Sequence, residues 1–473
     1  MLSPQSSSKA IAWQLLVMSC WSPRMSETKT IAEINAKLKR GDAVVLTAME
    51  FKAQVRQGRK WRVSDVDVVT TATRAIMSGT SAAIVMPLPE AGRGAKLRNL
   101  WLNGVPCNTG LSPDSESDLI DVIINGTAES RDHHGRYGGG HVLRDMIEGK
   151  TIEVEAETTD GKSVYAKVTI DQFPFARLYA TRNVYQNYSA FTNFRNEQSY
   201  LGMPQSIFSS RPMPRLKSIT TSGSGELSPL ANDPDGHVLR SGWKVLVNGM
   251  PGTVIGWGTR SHPGGRNLSL AADMKGMDPQ FMGGARTSHG VEVTNGIAVP
   301  IPILDETVIE NLTNTLDESL EMKISDISDR QPVASATFDD VWKDASLKVQ
   351  FRPDRCIVCS FQCAAEYYCP MQAISWREKT IYQDLCIACG ACTANCPGGA
   401  FTGEDRPPLG AIGAVPALDT KLPVSFRMSN RRRALMLAEM LKDQLVSGAF
   451  TLSGSDLSLE FEQKEIGAEG TSP

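Results

Sequence analysis

Eight of the chain's ten cysteines fall between residues 356 and 396, and no other feature of the 473 residues restricts the fold so tightly. They stand at Cys356, Cys359, Cys363 and Cys369, then at Cys386, Cys389, Cys392 and Cys396. The second set is spaced C-x2-C-x2-C-x3-C and runs into Pro397. The first is stretched, with three residues between Cys359 and Cys363 and five between Cys363 and Cys369, which is followed by Pro370. Three thiolates on one tight loop reach three irons of a cubane, and the fourth iron needs a ligand from elsewhere. Paired C-x2-C motifs also serve zinc, but a zinc site closes with four ligands of its own and has no use for a proline after its fourth cysteine. Each Cys-Pro step ends its loop, because proline cannot continue the local hydrogen bonding. The small Gly390 and Ala391 let backbone N–H groups approach inorganic sulfur.

The second run is that of the bacterial two-cluster ferredoxins, in which the fourth cysteine of each motif ligates the other cluster. On that pattern Cys356, Cys359, Cys363 and Cys396 hold one 4Fe-4S cluster, and Cys386, Cys389, Cys392 and Cys369 hold a second. The stretched first motif leaves open a three-iron form of the first cluster. Thiols reserved for iron suit a reducing, cytoplasmic setting.

A chain this long exceeds one ordinary core, so two or three domains are expected. With 49 basic and 52 acidic residues it has no electrostatic pull toward a polyanion, which argues against nucleic acid as a partner. No stretch approaches the roughly 20 apolar residues that cross a bilayer. The most apolar early segment, Ile11 to Trp21, is short and broken by Gln14. Residues 1–24 read as a disordered leader or a miscalled start, with a weak signal peptide as the alternative; Cys20 within them is given no role.

Thr30 to Lys39 has helical spacing (Ile31, Ile34, Leu38) closed by Gly41, and Ala43 to Leu46 and Val66 to Val69 read as buried strands. Ile152 to Glu157 alternates apolar and acidic residues, and Val164 to Ile170 alternates on the return across Asp160-Gly161, a hairpin. Ala180 to about Pro302 is rich in Gly, Asn, Ser and Pro and reads as long, motif-bearing loops. Glu306 to Asp329 reads as an acidic helix-like run, Arg406 to Leu422 as a Pro/Gly-rich linker, and Asn430 to Val446 as an amphipathic helix with Leu435, Leu437, Met440, Leu441 and Leu445 on or near one face. Arg431, Arg432 and Arg433 at its start form either a solvated face or a docking surface for an acidic electron partner. The expected architecture is a mixed α/β large domain at 25–306, a connecting segment at 307–350, an α+β bacterial-type ferredoxin module at 351–403, and a linker with a terminal helix at 404–473.

Residues 29 to about 306 resemble the homocysteine biosynthesis family, whose characterised activity is L-aspartate semialdehyde sulfurtransferase. The resemblance rests on Asn99-Leu-Trp-Leu-Asn-Gly-Val-Pro106, Tyr137-Gly-Gly-Gly-His141, Arg182-Asn-Val-Tyr-Gln-Asn-Tyr188, Ser224-Gly-Glu-Leu-Ser-Pro-Leu230, Asn232-Asp-Pro234 and Gly296-Ile-Ala-Val-Pro-Ile-Pro302. With the cysteine module, the whole is most similar to the methanogenesis marker 16 metalloproteins. The resemblance implies reductive sulfur transfer to a small aldehyde-type substrate in methanogen sulfur metabolism, the clusters supplying electrons. The alternative is a non-catalytic electron-transfer or cluster-assembly protein acting on a redox partner. The sulfur-carrying cysteine that the family places after its Thr-Thr-Gly-Thr segment and a Met is here Ser78, in Thr70-Thr71-Ala72-Thr73-Arg74-Ala75-Ile76-Met77-Ser78. A hydroxyl cannot carry a persulfide. Cys107 is the one core cysteine outside the module, and it is either a displaced carrier or a small residue packed beside a turn.

Asp132, His133, His134 and His141 offer metal-ligand chemistry without a recognised spacing. Tyr137-Gly138-Gly139-Gly140 opens a helix over His141 to Glu148, where bare amides suit a carboxylate or phosphate unless the glycines are purely structural. Asn187, Tyr188, Ser228 and Asp233 are pocket candidates through the resemblance.

Overall fold

A computed structural model describes residues 27–109, 117–186, 188–195, 203–404, 411–415 and 420–452. The expected leader, Cys20 and Asn187 lie outside them. The first helix, Ile31–Arg40, starts at a capping box in which the Thr30 side chain accepts from the Glu33 amide, and stops at Gly41 in the left-handed conformation (φ 77°). Ile31, Ile34 and Leu38 are its buried stripe. The strand after it, Val45–Thr47, pairs in parallel with Val68–Ile76, a nine-residue strand much longer than the Val66 to Val69 run suggests.

Val68–Ile76 is buried along nearly its whole length and lies inside a ten-stranded sheet. From one edge the order is Val45–Thr47, Val68–Ile76, Gly290–Pro302, Lys244–Val247, Met250–Trp257, Leu268–Asp273, Phe175–Asn183, Gly79–Pro87 and Leu119–Asn125, with Gly283–Thr287 also paired to Gly290–Pro302. The stretch from Ala180 to Pro302, expected as loops, thus supplies most of the sheet. Its glycines and prolines obscure the period-two pattern: Pro300 and Pro302 sit within the longest strand, opposite Thr70 and Val68. The expected hairpin forms as Ile152–Thr158 and Ser163–Val168, and belongs to a four-stranded sheet with Leu97–Leu102 and Val105–Cys107.

A six-stranded sheet revises the expected domain order. It runs Pro332–Thr337, Glu321–Asp326, Ser189–Thr192, Ile219–Thr221, Thr420–Arg427 and Ala411–Val415. Its strands come from both sides of the cysteine segment, so that segment is an insertion in the large domain and not a module placed behind it. The acidic run is a helix only over Glu306–Asn314 before it becomes the strand Glu321–Asp326. The described part of the expected linker is strand. The insertion is closed at its base by pairing of Val349–Phe351 with Phe401–Gly403.

The last helix, Arg431–Val446, packs Leu437, Ala438, Leu441 and Leu445 into the main core. Gly296 marks the contact: a Cβ there would stand 2.5 Å from Leu437 Cδ1. Neither expectation for the arginine triplet holds at Arg431 and Arg433, which are buried. Arg431 pairs with Asp317 at 2.5 Å and with Glu226 at 3.4 Å, while Arg433 donates to the Gln383 and Asp384 carbonyls.

Candidate functional site

Ser78 occupies the turn between Val68–Ile76 and Gly79–Pro87. That turn is held by the Met77 amide donating to Val293 O at 2.8 Å and the Thr80 hydroxyl donating to Met77 O at 2.8 Å. Gly79 is required there, because a Cβ would come within 2.6 Å of Arg182 Cβ on the paired strand. The Ser78 hydroxyl donates to Glu292, a carboxyl only 7% exposed whose Oε2 has no protein partner. Burial raises the Glu292 pKa, while the Ser78 hydrogen bond and the nearby His289 and Arg182 charges draw it down.

Arg182 also hydrogen-bonds the Tyr185 phenol and leaves its buried Nε without a protein partner. Beneath this group lies a row of buried amides. Asn295 Nδ2 donates to Thr80 Oγ1 at 2.7 Å and Asn183 Oδ1 at 3.3 Å, and Asn248 Nδ2 donates to Asn295 Oδ1 at 3.1 Å. Unsatisfied polar atoms are rare in a core, and those of Glu292, bonded to Ser78, and Arg182, beside Gly79, make this the candidate site for a polar ligand.

Further back along the same strand, Thr73 shares a hydrogen bond of 2.9 Å with Ser224, and the Tyr188 phenol bonds Ser228. Two of the pocket candidates therefore meet in one hydroxyl cluster. Asp233 does not join them: its carboxylate accepts from the amides of His237, Val238 and Leu239 at 2.7–3.0 Å and holds a loop.

Cys107 is on the edge strand Val105–Cys107 of the four-stranded sheet, its thiol donating to Val105 O at 3.4 Å. Burial pushes that thiol up to about 12, so it is not a thiolate at neutral pH. Asp132, His133 and His134 are exposed, and among the described residues no three His, Cys, Asp or Glu side chains converge on a single ion. His141 is stacked on Tyr137 (5.2 Å), and burial pushes it down to about 4. The glycines before it serve packing: a Cβ on Gly139 would meet Asn125 O at 2.0 Å, and the Gly139 and Gly140 amides already donate to Ala128 O and Gly126 O at 2.8 Å. The amides at that helix start are thus taken up by the Gly126 and Ala128 carbonyls, the structural alternative for these glycines.

The eight module thiols gather around two cavities. Cys369, Cys386, Cys389 and Cys392 line one, and Cys356, Cys359, Cys363 and Cys396 line the other, the same two sets of four that the ferredoxin pattern gives. Both C-x2-C loops turn on a residue of positive φ, Val358 (50°) and Ala388 (49°). At the cysteine before each proline, the amide four residues on reaches back to sulfur, Ala373 to Cys369 at 3.3 Å and Ala400 to Cys396 at 3.4 Å. A β-branched residue at positive φ is costly, and loops that curl their amides toward sulfur are what a cubane needs. Four thiols spaced around each cavity are a donor set that fits a multi-iron group.

The two cavities differ in exposure. Cys369, Cys389 and Cys392 are buried and share one apolar cluster with Ile76 and Ala285. Ile76 lies two residues before Ser78, and Ala285 is paired across the sheet with Glu292. The other cavity is on the outside, rimmed by the exposed Ile357 and followed by the fully exposed Phe361.

Residues 43–452 match the family described as "Homocysteine biosynthesis enzyme, sulfur-incorporation". The chain belongs to this family. The match runs on through the cysteine segment into the last helix, as the shared six-stranded sheet requires. Relatives include an uncharacterized protein of Methanothermobacter thermautotrophicus, 36% identical over 89% of this chain and 94% of its own length. A second, from Methanocaldococcus jannaschii, is 32% identical over 86% and 98%. The L-aspartate semialdehyde sulfurtransferase of the same organism is 35% identical over 63% of this chain, which spans 58% of that enzyme. No solved structure matches.

Glu292 and Arg182 were not singled out from the sequence. Arg182 opens a quoted motif, and Glu292 is a lone acid between two valines; a charge inside an apolar strand is the signal that points to it.

Proposed function

We propose that this chain catalyses reductive sulfur transfer to a small aldehyde bearing a carboxylate, of the aspartate semialdehyde class, using two 4Fe-4S clusters held by the two sets of thiols. The observation that carries the proposal is the shared packing of Cys369, Cys389 and Cys392 with Ile76, two residues from Ser78, and Ala285, paired with Glu292 across the sheet. When bound, the clusters supply electrons one at a time, and the reaction consumes two.

Arg182, whose Nε lacks a protein partner, is placed to bind the substrate carboxylate, since a guanidinium fork matches that geometry. Ser78 cannot store sulfur, so the sulfur donor is sulfide itself. Sulfide adds to the carbonyl carbon, giving a hydroxyl and a thiol on one carbon. Loss of that hydroxyl as water leaves a carbon–sulfur double bond, and two electrons with two protons complete the thiol. Glu292, whose pKa burial raises and which Ser78 holds by a hydrogen bond, donates in its acid form the proton that lets water leave.

Ser78 also favours a second reading, an electron-transfer protein acting on a partner. Anaerobically purified protein, assayed for iron, sulfide and thiol formed from aspartate semialdehyde and sulfide, separates the two. The expected result is about eight irons, with product formed by wild type and Cys107→Ala and at least about 10²-fold more slowly by Glu292→Gln. Eight irons without product in wild type would retire the enzyme in favour of the electron carrier. Product lost in Cys107→Ala at unchanged melting temperature would make Cys107 the sulfur carrier.

A further inference from the structure

Three arginines, two of them buried, are hydrogen-bonded to the segments that carry Cys369, Cys386, Cys389 and Cys392. Arg427 is 1% exposed; its amide donates to Cys389 O at 2.8 Å, and its Nη2 donates to Val341 O at 2.9 Å. Its Nε and Nη1 have no protein partner. Arg433, 4% exposed, spends Nη2 on the Gln383 and Asp384 carbonyls and leaves Nη1 without a partner. Arg286 donates its amide to Pro370 O at 2.7 Å and its side chain to the Gly135 and Tyr367 carbonyls. Among the described residues, none of the three forms an ion pair with a carboxylate.

A guanidinium can be buried against carbonyls alone only at a cost of several kcal/mol, on the order of 3–5 where a buried charge lacks its partner. Burial pushes Arg427 down to about 10, with the Cys389 thiolate acting in the opposite sense. Burial and the neighbouring Arg144 push Arg433 down to about 10, against the Cys386 thiolate. The anion that Arg427 faces is therefore the Cys389 thiolate, and Arg433 faces the Cys386 thiolate together with the Asp384 carboxylate. At the other cavity the lining cation is Lys379, exposed and lying over Trp376 at 4.1 Å, where water screens its charge.

Resting on the two-cluster reading above, we infer that Arg427 and Arg433 are the counter-ions of the cluster held by Cys369, Cys386, Cys389 and Cys392, and that they set its reduction potential above that of the exposed cluster. Reduction adds one negative charge to a cubane without a proton, and fixed buried cations stabilise that charge more than surface ones. An electron from an external low-potential one-electron donor enters at the exposed cluster and moves downhill to the buried one beside Ile76. Arg427 and Arg433 are positioning residues for this flow and do not touch substrate.

The test is an anaerobic dithionite titration of the full-length protein, followed by electron paramagnetic resonance, comparing wild type with Arg427→Gln, Arg433→Gln and Arg427→Lys. Each glutamine variant is expected to lower one cluster's reduction equilibrium about tenfold, which is 59 mV for a one-electron couple, leaving the other signal in place. Arg427→Lys should recover most of the shift. Wild-type potentials in both glutamine variants at full iron content, or equal shifts of both signals, would overturn the inference. Iron loss confined to Arg427→Gln supports a charge requirement, and iron loss in Arg427→Lys as well counts against it. A wild-type protein lacking cluster iron would overturn the two-cluster reading itself, a distinct outcome.

Discussion

On the proposed mechanism Glu292, 7% exposed, bonded to Ser78 and without a protein partner at Oε2, is the proton donor. Burial raises its pKa above the ordinary 4.5, so the acid form persists to higher pH than in water. If Glu292 gives its proton to the departing hydroxyl, kcat is highest on the acid side and falls as pH rises through the raised value. Glu292→Gln should remove that limb and leave a slow, flat profile. A wild-type rate that climbs through the same region would make Glu292 a base and sink the assignment. Much of this site was legible in part only. The Thr70 to Ser78 segment could be located by resemblance, and the serine at its end is visible in the sequence alone. Glu292 carries a local signal, an acid between two valines, but its pairing with Ser78 could not be read, because contact across a sheet leaves no local trace.

At the scale of elements, the helices could be read because their signals are local: Thr30 and Glu33 form a capping box, and Gly41 a left-handed stop. The cysteine segment could be read for the same reason, its ligand spacing being set by short loops. The six-stranded sheet could not, since its strands are drawn from segments on either side of that insertion. Nor could the burial of Arg431 and Arg433, which depends on Glu226, Asp317 and two carbonyls brought in by tertiary folding. Gly296 tests how closely the last helix is fitted to the central strand. Its absent Cβ would press on Leu437 Cδ1 at 2.5 Å, Phe281 Cβ at 3.2 Å and Arg74 Cγ at 3.4 Å. Gly296→Ala should destabilise the protein by about 1–3 kcal/mol, the usual cost of overpacking, read as a lower urea midpoint at unchanged slope. A neutral result would mean the helix can slide outward and that its seat on the sheet is loose.

For the whole molecule, the inserted segment is not an appendage that could be lost without consequence. It is tied at its base by the Val349–Gly403 pairing, and its buried thiols share a core with Ile76, Ala285, Phe426 and Met428 from two different sheets. On the two-cluster proposal Arg427 and Arg433 add an electrostatic tie: the anionic clusters compensate them, and without iron the thiols that burial pushes up become neutral, leaving Arg427 without an anion and Arg433 with Asp384 alone. Stripping the iron should therefore destabilise the entire chain by about 3–5 kcal/mol, the cost of a buried charge deprived of its partner, and the β-sheet signal should melt in one step at a lower temperature. The same physics inverts the effect of mutation. Arg427→Gln should cost stability in the iron-loaded protein and cost little, or even restore some, in the iron-free one, because it then removes an unpaired charge. Calorimetry of the four species measures this coupling. Equal effects of Arg427→Gln with and without iron would show that the arginine holds the fold through Val341 and Trp342 alone and owes nothing to the thiols beside it.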